Sequence, residues 1–225
     1  MPLLRCYLII IKILVILPAV LNAQDKEVIT QQGYTLTVVN NDATFDNSVK
    51  TQLIDTFFEV YPLLTKTYNK HSIKEITFLI DTAYHGVAEA GGGVVRYSSA
   101  WFHKHPADID VVTHEVMHIV QSYPGDAGPG WITEGIADYV RYKFGLSNEV
   151  GGWRLPEFTS GHHYSNSYRI AARFFVWLEK NEKKGIVKTI DEAMRNKTFT
   201  ENIWKQETGK TLDELWKSYS DKPAI

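Results

Sequence analysis

Residues 113–121, THEVMHIVQ, contain two histidines and a glutamate at a spacing that can bind a metal ion. On a helix, residues four apart lie on one face, so His114 and His118 can direct ring nitrogens at the same ion. Glu115 lies beside them, where its carboxylate can accept a proton from a water molecule that zinc has acidified. The H-E-x-x-H pattern therefore predicts a Zn2+ site with Glu115 as general base.

A catalytic zinc ion needs a third protein ligand, and the segment WITEGIADYVR contains two acidic candidates. Glu134 and Asp138 lie four residues apart on a predicted helix, which follows His118 after the turn-rich sequence PGDAGPG. Glu134 would complete a His, His, Glu site. The alternative is that both acids are solvated helix charges, with Asp138 paired to a neighbour such as Arg141.

Two side chains are predicted to orient the histidines from behind. Asp138 lies one turn beyond Glu134 and could accept a hydrogen bond from the non-coordinating nitrogen of one histidine, which would select its tautomer. Gln121 lies on the histidine face of its own helix, one turn after His118. If Glu134 is not the ligand, Asp138 and His163 are the next candidates.

Attack of water on a carbonyl group creates an oxyanion, which Tyr or His commonly stabilises by donating a hydrogen bond. The segment SGHHYSNSYRIAARF offers such donors. Tyr168, at the start of a predicted helix, is the first choice, and His163 is the second. The alternative interpretation is a packed tyrosine and a surface histidine.

The segments HEVMHIVQSY and GWITEGIADYVRYKFG resemble the basic secretory protein family, zinc peptidases of plants and bacteria. H-E-x-x-H with a downstream E-x-x-x-D is also similar to the thermolysin-like gluzincins, from which the role of Glu134 is taken. The resemblance extends from the first predicted strand to TGKTLDELW. It implies a zincin-like fold and peptidase activity.

The elements that must position these residues follow from hydrophobic periodicity. Residues 34–39, 76–80 and 94–99 are predicted strands. Asp46 can begin a long helix that Pro62 should kink or end. The metal-binding helix should follow Pro106, begin at Asp108 or Asp110, and reach about residue 122.

The C-terminal half is predicted to be mainly helical, with a capping box of Thr211 and Glu214 before the last helix. The predicted helices are residues 132–144, 167–180, 186–195 and 212–219. This order of elements predicts an α+β fold, and the resemblance implies that it is zincin-like, with a small mixed sheet whose edge strand lies over the active-site helix. In that fold residues 93–99 would form the edge strand and bind an extended peptide.

Residues 1–23 have the pattern of a secretory signal peptide, with Arg5 and Lys12 around an apolar run and Ala23 before Gln24. A transmembrane anchor is the alternative, but Lys12 leaves the apolar run short for a bilayer. We expect a secreted or periplasmic protein, without membrane association after cleavage, whose residues 24–225 form one domain. The only cysteine, Cys6, lies in the signal peptide, so a disulfide is not expected.

The chain has 24 basic and 26 acidic residues, and removal of the two basic residues in the signal peptide leaves a formal charge of −4. This mild acidity argues against nucleic-acid binding and differs from what the family's name suggests. Nothing in the composition requires more than a monomer.

These features predict a secreted zinc peptidase that hydrolyses peptide or protein substrates by direct attack of water, without a covalent intermediate. A different class of function is a secreted metal-containing binding protein with little or no turnover. A third is hydrolysis of another substrate class, because the groups that activate water are general and the cleft selects the substrate.

Overall fold

The computed structural model describes residues 25–225, so the predicted signal peptide lies outside the described residues. The described part contains a five-stranded sheet in the order β1-β2-β3-β5-β4. Strands β2, β3 and β5 run parallel, whereas β1 and β4 are antiparallel to their neighbours at the two edges. The strands are β1 (Asp25–Gln31), β2 (Tyr34–Asn40), β3 (Glu75–Asp81), β4 (Ala88–Gly91) and β5 (Val94–Ser98).

The edge strand nearest the helices is β4, and the prediction that residues 93–99 form this edge is wrong. Strand β4 pairs with β5 and covers it, with Glu89 opposite Arg96. Gly92 and Gly93 both have positive φ, as a two-residue hairpin turn requires. The sequence AEAG contains no β-branched or aromatic residue, so strand propensity did not reveal β4.

Helix α1 (Asn47–Thr67) connects β2 to β3 and begins, as predicted, at Asp46, whose carboxylate accepts a hydrogen bond from the Ser48 N–H. The prediction was that Pro62 would kink or end this helix, and the structure excludes the second alternative, because Pro62 lies inside α1. Proline has no N–H to donate to the carbonyl four residues earlier. The Gln32 side chain satisfies that carbonyl of Phe58 instead, at 3.1 Å.

The remaining helices follow β5 and make up the second half of the chain. Both short helices, α2 and α7, were missed because six residues show little periodicity. The helices are α2 (Ser99–Lys104), α3 (Val111–Gln121), α4 (Gly130–Phe144), α5 (Tyr168–Asn181), α6 (Ile186–Arg195), α7 (Ile203–Thr208) and α8 (Leu212–Asp221). The Thr211 and Glu214 capping box before α8 is confirmed.

Asp110 precedes α3 but does not cap it with its side chain. Its carboxylate instead accepts hydrogen bonds from the backbone N–H groups of Leu146, at 2.8 Å, and Ser147, at 2.6 Å. This contact fixes the start of α3 against the chain that leaves α4. The predicted helix is therefore present, but Asp110 stabilises its position in the fold.

Helices α1 and α3 pack together, and α4 lies between α3 and α5. Gly135 allows the close approach of α4 and α5, since a Cβ added there would lie 2.6 Å from the Ala171 Cβ. The buried side chains of the sheet and helices form one contiguous core, which holds α3 and α4 face to face.

Within residues 25–225, none of the helices combines the length and the apolar character needed to cross a membrane.

Candidate active site

Three ligand atoms from α3 and α4 converge on one point. The His114 Nε2 and His118 Nε2 atoms lie 3.1 Å apart. The Glu134 Oε2 atom lies 3.3 Å from the first and 3.5 Å from the second. Zinc bonds of about 2.0–2.1 Å at tetrahedral angles place ligand atoms about 3.3 Å apart. The predicted His, His, Glu group therefore has the spacing that a tetrahedral zinc ion requires.

Asp138 orients His114 from behind. The His114 Nδ1 atom lies 2.6 Å from Asp138 Oδ1, and the carboxylate is buried. An ionised carboxylate can only accept, so Nδ1 carries a proton and Nε2 is the atom left to bind a metal ion. Asp138 is thus the partner of a histidine rather than of Arg141, whose guanidinium pairs with Asp108.

Gln121 orients His118 in the same way. The Gln121 Nε2 group donates to the Thr133 carbonyl at 2.9 Å, so its Oε1 atom faces His118. That oxygen lies 2.8 Å from His118 Nδ1 and accepts its proton. Both histidines therefore use Nδ1 for these hydrogen bonds and direct Nε2, the atom left to bind a metal ion, at the same point, and the contact with Thr133 links α3 to the first turn of α4.

The electrostatics of this point favour a cation. Burial on its own would lower the pKa of His114, but hydrogen bonds with Asp138 and Glu134 raise it to about 10. Burial would likewise raise the pKa of Glu134, but its contacts with the two histidines hold it well below its ordinary value. Glu115, Glu134 and Asp138 place three acidic groups around two imidazoles, an excess of negative charge that a divalent ion would offset.

Glu115 lies next to the three ligand atoms and lines the same cleft. The residue is only 6% exposed, and burial raises the pKa of its carboxyl group, while the charges of His114 and His118 lower it. A buried carboxylate with a raised pKa beside a metal position is the usual environment of a general base.

Tyr168 opens α5, as predicted, and its ring stacks on that of His114 with a centroid distance of 6.3 Å and an interplanar angle of 16°. Its φ of 46° is unusual for a residue other than glycine. The negative charge of Glu134, followed by partial burial, raises the pKa of its phenol. The hydroxyl therefore stays protonated and can donate a hydrogen bond within the cleft.

His163 is not brought to the metal position. Its Nδ1 atom lies 2.7 Å from the Ser165 hydroxyl, and its ring packs on Tyr164 and Trp216. The residue precedes a single 3-10 turn at Tyr164–Asn166 and is absent from the cleft lining. Of the two candidate oxyanion donors, Tyr168 lines the cleft and His163 does not.

The metal position lies in a cleft of about 1070 Å³, one wall of which is β4. The Ser98 N–H donates to the Val87 carbonyl, and hydrogen-bonded pairs alternate along an antiparallel ladder. Ala88 and Ala90 therefore direct their backbone groups away from β5. Tyr84 donates to the Ala88 carbonyl at 3.1 Å. The exposed backbone edge lies beside the metal ligands.

Several cleft residues were not predicted from the sequence to be site residues, although Trp101 and Trp153 were interpreted as core or cleft wall. Trp101, His105, Asp108, Arg141 and Trp153 line the end of the cleft near the start of α3. Arg141 is three residues after Asp138 on the same helical face, and this spacing could have revealed it. The other four have no local pattern that marks them.

The fold is similar to that of larger zinc peptidases. An M1 zinc metallopeptidase from Deinococcus radiodurans matches with a TM-score of 0.53 and 10% identity, over 89% of this chain and 52% of that one. A mutant of the M1 enzyme from this organism bound to a Tyr-Ser-Ala substrate matches with a TM-score of 0.52 and 11% identity, over 90% and 53%. This chain thus spans about half the length of those proteins, and such low identity shows the fold alone.

No curated protein sequence matches this chain significantly. The model of the BSP family, described as a peptidase of plants and bacteria, matches residues 29–219. This range includes α3 and α4 and nearly all of the described residues. With its zincin-like fold and its His, His, Glu group, the chain belongs to the BSP family of peptidases.

Proposed function

We propose that this protein is a secreted zinc peptidase that hydrolyses peptide bonds by direct attack of water. The observation that carries the proposal is the convergence of His114, His118 and Glu134 beside the buried carboxylate of Glu115. A structural zinc site is usually closed by four protein ligands, whereas three ligands and a neighbouring base suit catalysis.

His114, His118 and Glu134 would hold the ion, with Asp138 and Gln121 fixing the tautomers of the two imidazoles. Zinc bound there supplies a Lewis acid, which polarises a carbonyl group and makes water more acidic. The hydrogen bonds behind the histidines hold the three ligand atoms close to the required geometry before the ion arrives, which favours tight binding.

Glu115 moves the proton in this mechanism. Its carboxylate accepts a proton from the attacking water and then passes it to the nitrogen of the leaving amine. Burial supports both steps, because a carboxyl group whose pKa is raised can accept a proton and also return it.

Tyr168 stabilises the oxyanion. Its phenol lies over His114 and remains protonated, so its O–H can donate to the oxygen on which negative charge develops. Tyr168 lines the cleft that contains the three candidate ligands.

An extended peptide would bind along β4, where Ala88 and Ala90 expose backbone groups in the cleft. Main-chain hydrogen bonds of this kind recognise any peptide in an extended conformation. The substrate-binding edge proposed for residues 93–99 is thereby reassigned to β4.

The experiment is the substitution Glu115→Gln in the mature protein, with Glu201→Gln as a control at an exposed glutamate outside the cleft. Zinc content is measured by plasma mass spectrometry and hydrolysis with a peptide library. We expect about one zinc per chain in all three proteins, and a 10²–10⁴-fold lower rate only in Glu115→Gln.

Hydrolysis by Glu115→Gln at the wild-type rate would show that this residue is not the base. A wild-type protein that binds zinc and cleaves nothing in the library would support the alternative of a metal-containing binding protein.

The proposal includes export of the protein by its N-terminal signal and a single domain at residues 24–225. The apolar run around Arg5 and Lys12 supports export. N-terminal sequencing of the secreted product should begin at Gln24, and retention of residues 1–23 on a membrane-bound product would favour the anchor interpretation.

A further inference from the structure

One end of the active-site cleft is lined by aromatic rings. Trp101, His105 and Trp153 lie there, and Val111 adds an apolar side chain. The Trp101 and His105 rings are in contact, with centroids 4.1 Å apart. These four residues, together with Asp108 and Arg141, are called the aromatic subsite below.

A single buried carboxylate holds the two tryptophans in place. Asp108 Oδ2 accepts a hydrogen bond from Trp101 Nε1 at 3.0 Å. Asp108 Oδ1 accepts from the Arg141 guanidinium, which lies 4.6 Å from the centroid of the Trp153 ring. Asp108 thus orients Trp101 directly and Trp153 through a cation–π contact.

Asn148 provides a second support for the same wall. Its side chain accepts from Arg141 Nε at 3.0 Å, and its backbone carbonyl accepts from the Trp153 N–H at 2.8 Å. Trp153 is therefore held at both its ring and its backbone. A binding wall built this way loses little conformational freedom when a ligand packs on it.

The aromatic subsite lies next to the metal ligands. Val111 is three residues before His114 on α3, about 4.5 Å along the helix, and Arg141 is seven residues after Glu134 on α4, about 10.5 Å along that helix. A side chain bound here would belong to a residue next to the bond being hydrolysed.

The charge of the aromatic subsite selects against acidic side chains. Asp108 and Arg141 are 8% and 5% exposed and neutralise each other. The surfaces left for a ligand are the ring faces and edges of Trp101, His105 and Trp153. Aromatic rings pack favourably on such surfaces, whereas a carboxylate would lose hydration without gaining a partner.

We propose that the aromatic subsite binds an aromatic side chain of the substrate, next to the scissile bond. This inference rests on the proposed function, because a scissile bond exists only if the protein is a peptidase, but the binding preference can be tested without turnover. In this proposal Asp108 is a positioning residue, and the two tryptophans are specificity-determining residues.

The first test measures kcat/KM for paired peptides that differ only in phenylalanine or alanine at each position beside the cleaved bond. We expect wild-type protein to prefer phenylalanine by on the order of tenfold or more at one of these positions, given the apolar area buried. Trp153→Ala should reduce this preference to within about threefold and leave the zinc content near wild type.

Tyr142→Ala is the matched control, because Tyr142 is an exposed aromatic residue on the same helix as Arg141 and outside the cleft lining. It should keep the full preference. His105→Ala is a second test at an exposed position, in case Trp153→Ala folds poorly, and should weaken the preference in the same direction.

The second test uses calorimetry with zinc-loaded protein and the hydroxamates of phenylalanine and alanine. Wild type should bind the phenylalanine compound at least tenfold more tightly, and His105→Ala and Trp153→Ala should lose that difference. This result in a protein that cleaves no peptide would retain the aromatic subsite and refute the peptidase proposal. Equal or undetectable binding of both compounds to wild type, or an unchanged difference in both variants, would overturn the aromatic subsite.

Discussion

The contact between Asp138 and His114 allows a quantitative prediction for zinc affinity. The Asp138 Oδ1 atom lies 2.6 Å from His114 Nδ1, and Asp138 is 4% exposed. Asp138→Asn keeps the size of the side chain but removes its charge, so a charge-assisted hydrogen bond becomes a neutral one. Such bonds contribute about 1.5–3 and 0.5–1.5 kcal/mol respectively, and the expected loss is about 1.5 kcal/mol.

A loss of this size corresponds to about a tenfold higher Kd for zinc. Outer partners of metal ligands typically change metal affinity by about 10–100-fold, which agrees with the estimate. The assay is a competition titration of the zinc-free protein against a chromophoric chelator at neutral pH.

Asp221→Asn is the control, because Asp221 is an exposed acid that pairs with Lys217 far from α3 along the chain. It should leave the Kd unchanged. If Asp138→Asn binds zinc within twofold of wild type, then the charge of Asp138 does not support His114 as a zinc ligand.

Three further predictions concern other parts of the fold. The Tyr168→Phe variant should bind zinc as wild type does and have a kcat lower by about 10²–10³-fold, because the proposed oxyanion donor is removed. Steady-state kinetics should show this loss with an unchanged KM, and an unchanged kcat would exclude the role. Gly135→Val should lower the free energy of unfolding by about 1–3 kcal/mol, since the new side chain would overlap Ala171 and Phe175, and denaturant titration should show no such loss for a substitution at exposed Glu201. Burial alone would raise the pKa of Asp42, but hydrogen bonds with Thr44 and His103 lower it to about 2. Because that pKa is lowered, the ionised form stabilises the fold above pH about 4, and this contribution is lost as the pH falls toward 2. The stability difference between wild type and Asp42→Asn should therefore shrink over that range in urea titrations, and a constant difference would contradict the assignment.

The local sequence was sufficient for the features that depend on spacing along one element. The H-E-x-x-H pattern placed His114 and His118 on one face because a helix brings residues four apart together. Helix α6 and the Thr211 capping box before α8 follow from the same short-range geometry, and the structure confirms them. Glu134 was predicted from its spacing and by analogy with gluzincins, and it lies where expected.

Tertiary structure decided the features that depend on contacts between distant parts of the chain. Pro62 lies inside α1 without leaving the Phe58 carbonyl unpaired. The Gln32 side chain, 26 residues before Phe58 in the sequence, donates the hydrogen bond that the proline cannot. Asp110 binds the backbone after α4 instead of capping its own helix. In both cases the local rule was sound, but a partner from another element changed its outcome.

The residues of the cleft also divide into those that local sequence predicted and those that only the fold brought together. The sequence by itself determined the metal-binding group, since its ligands lie on two helices with regular periodicity. Only the fold decided that β4 forms the edge, that Tyr168 rather than His163 lines the cleft, and that Asp108 joins Trp101 to Arg141. The physical reason is that short-range spacing constrains the direction of side chains on one helix, whereas the packing of the core determines which elements meet.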